Sequence, residues 1–149
     1  MSTGEQPQVG NLLRRPAQAV QSHITRRLGD MGFDDLSEAH MAVFIHIDHD
    51  RKGGEHDGSR LTTLAQRAQM TLQSMGYLVD NLEARGYVER VPDPVDGRAK
   101  LIRLTQRGWQ LHDAADRVGP ELEADWEARM GPARYARLRA LLEELAQAL

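Results

Sequence analysis

The sequence predicts a mainly α-helical fold carrying one small β-hairpin, an α+β chain, and three observations support that. Apolar residues recur at three- and four-residue intervals over most of the chain, the period of a helix with one buried face. The repeat lapses from Gly86 to Thr105, where GYVERVP and KLIRLT alternate as strands do. Between those strands lie the residues from Pro92 to Ala99, too many for a tight primed turn.

The first helical pattern runs from about Asn11 to Met31, with Leu13, Ala17, Val20, Ile24 and Leu28 on one face. Gly32 and the DDLS run break it, and Ser37 suits the N-cap of a second helix through Ala39, Val43 and Ile47. DHDRKGGEHDGSR, Asp48 to Arg60, is polar and Gly-rich and reads as loop. Thr62 can cap a short helix carrying Leu64, Ala65 and Ala68. Thr71 can cap another, with Leu72, Met75, Val79 and Leu82 as its apolar stripe. Only Ala68 to Thr71 separates the two, so they must cross steeply as a helix-turn-helix. Gly86 is placed to stop the second of them. In the hairpin, Lys100, Ile102 and Leu104 take one face, and Leu101, Arg103 and Thr105 the other. Thr105 can cap a long helix bearing Leu111, Ala115, Val118, Leu122 and Trp126, kinked or interrupted at Gly119-Pro120. Pro132 opens a last helix with Tyr135, Leu138, Leu142, Leu145 and Leu149.

These elements assemble into one domain over residues 1–149. Residues 37–105 form a winged helix-turn-helix lobe, and residues 11–31 and 106–149 are helices for dimerisation. The terminal stripes have little chain to bury them, so a second copy covers them symmetrically. An intramolecular helical bundle is the alternative. Cysteine is absent, which excludes disulfides and thiolate metal sites. MSTGEQPQVG lacks the basic and apolar regions of a signal peptide, and no apolar run nears the roughly 20 residues of a membrane span. A cytoplasmic protein with no membrane partner is expected.

The net charge of -3 disfavours a nucleic-acid partner until its distribution is read. From Arg60 to Arg107 there are eight basic and five acidic residues, a local balance of +3. A basic segment in an acidic chain can hold an anionic partner while the rest stays in solution. The second short helix offers Gln73, Ser74, Tyr77 and Asn81 opposite its apolar stripe, chemistry suited to base edges and phosphates in a major groove. Arg98 tips the projecting loop, where a guanidinium can sense the minor groove. Asp93 and Asp96 make poor DNA contacts and are read as braces for Arg98. Arg90 and Lys100 at the base of the hairpin are placed to face phosphates.

The stretch Leu61 to Gly108 resembles the reading head of the MarR family of bacterial transcriptional regulators. LVDNLEARGYVER and DPVDGRAKLIRLT are its most specific pieces, the second through its acid, acid, Arg pattern. The resemblance implies a homodimer on a pseudo-palindromic DNA operator. It further implies repression relieved by a small effector, often an aromatic acid or phenol, bound between the dimerisation helices and the lobe. By position it makes Thr71, Gln73, Ser74 and Tyr77 groove-facing and Arg98 the wing arginine, with Asp96 its brace. Three departures stand out. Gly76 and Tyr77 replace a hydroxyl residue followed by Arg, Gln69 occupies a turn position often held by Gly, and the Asp48 to Arg60 loop is long.

Other constellations are weaker. HIDHD, His46 to Asp50, with His56 and Asp57, has donors for zinc or manganese, so a metal-binding module or metal-dependent enzyme is the competing class. No phosphate loop, nucleophile elbow or triad-like arrangement is present, so a non-enzyme without a cofactor is expected. His23, His40, Trp109 and His112 fall on helices that would surround an effector pocket.

Overall fold

The computed structural model describes residues 8–52 and 57–149. Helix α1 spans Val9–Asp30, and a single 3-10 turn, Glu38–His40, leads into α2, Met41–His46. Helices α3, Leu61–Arg67, and α4, Leu72–Ala84, precede strands β1, Val88–Pro92, and β2, Lys100–Leu104. Two long helices follow: α5, Gln106–Met130, and α6, Pro132–Gln147. Among the described residues, no helix is long and apolar enough to cross a membrane.

One core joins the central lobe to its flanks. Met75, Leu78, Val79 and Leu82 put the buried face of α4 against Val43 and Phe44 of α2 and Leu64 of α3. Leu28 of α1 and Leu111 and Ala114 of α5 complete the same cluster. The expected stripe on α4 holds at Met75, Val79 and Leu82, but its first member, Leu72, is 51% exposed, and Leu78 joins the buried face. Thr71 does cap this helix, its hydroxyl accepting from Ser74 N at 3.1 Å. Thr62 does not cap α3. Arg60 is the N-cap, and its carbonyl accepts from Leu64 N at 3.1 Å, so the helix begins earlier, at Leu61.

Strands β1 and β2 pair antiparallel from Val88↔Leu104 to Pro92↔Lys100. Strict alternation fails at Leu101, which is buried along with Ile102. The cause is the end of the long loop. Ser59 exchanges backbone hydrogen bonds with Ile102 at 2.9 and 2.8 Å, laying a third chain along β2. Gly58 permits this approach, since a Cβ there would stand 2.8 Å from the Ile102 carbonyl oxygen.

Helix α5 runs through Gly119-Pro120 without interruption. Pro120 removes only the bond to the Asp116 carbonyl on an exposed face, where water can replace the missing donor. The terminal helices are open. Val9, Leu12 and Leu13 of α1 and Leu141, Leu142 and Leu145 of α6 are all exposed, and α6 buries no residue fully.

Candidate nucleic-acid interface

Helix α4 presents Thr71, Gln73, Ser74 and Tyr77 to solvent, and Tyr77 is 68% exposed. The Thr71 and Ser74 hydroxyls are 2.8 Å apart and satisfy one another at the helix start. Asn81 is turned inward on its own helix: its amide donates to Tyr77 O at 2.9 Å and its Oδ1 accepts from Arg85 at 3.2 Å. That leaves Gln73 and Tyr77 as the free polar ends of this face among the described residues. Gly76 is half-buried beside Leu61, 3.7 Å from where a Cβ would stand, an ordinary contact distance that leaves room for a small side chain.

The wing is a closed structure. Beyond the last strand pair, Asp93 N donates to Ala99 O at 3.0 Å and Ala99 N to Asp96 O at 2.8 Å. The acids do not brace the Arg98 guanidinium. Asp93, 7% exposed, receives Nε and Nη2 of Arg60 at 2.8 and 2.6 Å, and its other oxygen accepts from Val95 N at 2.8 Å. These bonds, first Val95 N–H and then Arg60, hold its carboxyl below the usual carboxylate range. Asp96 accepts from the backbone N–H of Arg98 at 3.2 Å. The acids thus shape the main chain, and the Arg98 side chain projects into solvent with Lys100 and Val95.

Arg90 also differs from its expected role. It bonds Asp80 at 2.6 Å and contacts Glu83, both on α4, so it ties β1 to that helix. Asp80, which would repel phosphate, finds its purpose here.

The pocket candidates do not meet in one cavity. His23 lies on α1 beside Arg26, lining a groove with Glu121 and Asp125 of α5. His40 is buried between Ser37 and Arg85. Trp109 and His112 of α5 pack with His49, whose Nε2 is 2.9 Å from His112 Nε2. Arg51 covers the Trp109 ring at 4.7 Å. A cleft of about 150 Å³ between α2 and α5, lined by Met41, Phe44, Ile45, Leu111 and His112, lies alongside. His56 lies outside the described residues. Among those described, His46 and His49 do not converge with a third donor as a metal site.

Three positions escaped the sequence reading. Arg60 was invisible as a wing anchor because its partner is 33 residues away. Arg67 holds His46 O and Asp48 at 2.8 and 2.9 Å, fastening α3 to the end of α2. Val95, 84% exposed at the wing tip, carried no periodic signal.

Two crossed helices, an attached wing and long open terminal helices define a winged helix-turn-helix protein with extended flanks. A model of the MarR family matches residues 35–99, which contain α2, α3, α4, β1 and the wing. Over that segment, somewhat under half of its length, the chain is similar to the MarR family of winged helix-turn-helix proteins. It is 38% identical over 74 residues to the uncharacterized HTH-type transcriptional regulator ML2140 of Mycobacterium leprae, a match covering 42% of this chain and 52% of that one. The chain thus spans about half the length of that curated relative. Among solved structures, CouR from Rhodococcus jostii RHA1, bound to p-coumaroyl-CoA, is similar at TM-score 0.69 and 25% identity, covering 97% and 96% of the two chains. Apo wild-type MarR from E. coli shares the fold at TM-score 0.73 and 20% identity, covering 95% and 98%.

Proposed function

We propose that the chain is a DNA-binding transcription regulator that works in the bacterial cytoplasm as a homodimeric repressor and leaves a pseudo-palindromic operator when a small ligand binds. One observation carries this reading. Gln73 and Tyr77 on α4 and Arg98 and Lys100 on the wing extend from the same lobe with no intramolecular partner for their polar ends among the described residues. A polar helix face fits a major groove, and the Arg-tipped wing reaches the adjacent minor groove. Thr71, Ser74 and Asn81 then support the helix, and Arg90 fixes the angle between helix and wing.

The exposed apolar faces of α1 and α6 favour a second copy, since contiguous apolar surface of this kind marks an interaction site. For the ligand, the α2–α5 cleft of about 150 Å³ has room for one aromatic ring. Its neighbours Trp109 and His112 offer a flat face and a polar edge. Ligand release follows if the bound form holds the two α4 helices at a spacing other than the ~34 Å between successive major grooves.

Footprinting on the DNA flanking its own gene, with and without phenolic acids, tests the whole reading. Two protected half-sites about 10 base pairs apart are expected, with affinity falling steeply as salt rises. A folded protein that protects no DNA at low salt would end the proposal.

A further inference from the structure

His40 is 7% exposed, and its two ring nitrogens carry different obligations. The main-chain N–H of Ser37 points at Nδ1 from 3.0 Å, a donor fixed by the backbone that cannot turn away. Nδ1 must therefore present a bare lone pair, and in the neutral ring the proton sits on Nε2. The Ser37 hydroxyl, also 3.0 Å from Nδ1, can rotate to donate to the same lone pair. Nε2–H then faces Nη1 of Arg85 at 3.2 Å. A guanidinium has no acceptor. Two donors confront each other with nothing between them.

Neither donor is satisfied by a nearby acid. Among the described residues, the other polar partner of Arg85 is the neutral Oδ1 of Asn81 at 3.2 Å. Asp35 is close enough to act on His40 through space, yet its oxygens are engaged by the Tyr87 hydroxyl at 2.6 Å and by Arg107 at 3.5 Å. Burial and the Arg85 charge together hold the His40 ring neutral. The pair therefore offers one formal positive charge and two convergent N–H groups, half-open to solvent on the Arg85 side.

We propose that His40 and Arg85 form an anion site that takes the carboxylate of a small organic monoacid, one oxygen accepting from both Nε2 and Nη1. A monoanion matches the single uncompensated charge. This place is distinct from the α2–α5 cleft: it lies between the turn that starts α2 and the C-terminal end of α4, where Arg85 is the capping residue. Occupancy would therefore act directly on the end of the helix that carries Gln73 and Tyr77. That last consequence rests on the DNA-binding reading above; the binding itself does not.

The test is nitrogen NMR on the full chain with 15N-labelled histidine. In the ligand-free protein the His40 ring should show a protonated Nε2 and a bare Nδ1. Sodium benzoate should shift the His40 Nε2 signal saturably, benzyl alcohol should not, and inorganic phosphate should compete poorly. Arg85→Gln should weaken benzoate about tenfold or more, the loss of one charge-assisted bond, while leaving the His40 tautomer unchanged. A proton on Nδ1, a benzoate response that never saturates, equal binding by Arg85→Gln, or a preference for phosphate would each overturn the assignment. Benzoate that binds without altering DNA affinity would leave the site standing and remove its regulatory consequence. Intact DNA binding with no benzoate site would remove the site alone.

Discussion

Arg60 and Asp93, 33 residues apart, meet through two guanidinium N–H groups at 2.8 and 2.6 Å, so the first residue before α3 holds the wing. The same carboxylate accepts from Val95 N at 2.8 Å, which fixes the wing backbone and its anchor through one group. Asp93→Asn should keep the volume but lose the charge and at least one of these bonds. Faster amide exchange at Val95 and Asp96 and weaker DNA binding are the expected outcomes. The sign of the pH effect is set by the depressed carboxyl. Its contribution is present above the ordinary carboxylate range and lost as pH falls through its lowered value. Unchanged exchange in Asp93→Asn would show that the strand pairing alone holds the wing.

The two wing arginines should behave differently. Arg98 is exposed and its guanidinium has no intramolecular partner among the described residues, so Arg98→Ala should cost about 1–3 kcal/mol of DNA affinity with folding unchanged. It should also make the salt dependence of binding shallower by roughly one ion. Arg90 instead joins Asp80 and Glu83. Arg90→Ala frees two carboxylates on α4 and should alter wing dynamics as well as affinity. Mobility-shift titrations at several salt concentrations, paired with relaxation measurements on the wing, separate the two roles.

Gln69 sits in the turn between α3 and α4 with φ of 53°, the left-handed region, and is the one non-glycine there among the described residues. Such a conformation costs an L side chain about 1–2 kcal/mol, against roughly 0.5–1 kcal/mol of extra chain entropy lost by glycine. Gln69→Gly should therefore stabilise the fold by ~0.5–1 kcal/mol. Denaturant unfolding with an unchanged slope measures it, and a destabilised variant would mean that the Gln69 side chain contributes a contact outweighing the strain.

How much of this was legible depended on whether the signal was local. The helices, the turn before α4, the stop at Gly86 and the hairpin all follow from periodicity and capping residues within a few positions of one another. Leu72 departs from the expected stripe because periodicity sets the phase of α4, which Met75, Val79 and Leu82 keep, and not how far along the helix the core extends. Pro120 was over-read because the sequence does not show that the freed carbonyl faces water. At the candidate interface, the residue types were readable and their partners were not. Asp93 reads from the sequence as a brace for Arg98, yet the arginine it serves is Arg60, on another element. Asn81 looks like a groove residue until its amide folds back on its own helix, and Arg90 does until β1 packs on α4. The Ser59–Ile102 bridge depends on a Gly-rich loop returning to β2, and no pattern within that loop encodes where it lands.

The rings of His49 and His112 supply the last prediction. His49 Nδ1 is 3.0 Å from Ile47 O, an acceptor, so that nitrogen carries the proton and Nε2 is bare. His112 Nε2–H can then donate to His49 Nε2 across 2.9 Å. His112 Nδ1 is left as a buried nitrogen without a hydrogen-bond partner, 3.4 Å from Asp116 and 3.9 Å from Asp113. Burial lowers the proton affinity of His112, Asp116 opposes that, and His49 and Arg51 add to it. The net shift is downward. The folded state therefore binds fewer protons than the unfolded chain just below the ordinary imidazole value of about 6.5. Stability from this contact is complete above that pH and falls as acid is added toward the lowered value. His40, depressed by its own burial, adds a contribution of the same sign. Unfolding free energy measured from pH 7.5 down to 5.5 should decline in the natural sequence and decline less in His112→Gln. Exchange at the amides of residues 47–52 should rise over the same interval, because His49 carries that segment against α5. A stability profile that His112→Gln leaves unaltered would show that the ring pair contributes nothing to docking the lobe on its long helix.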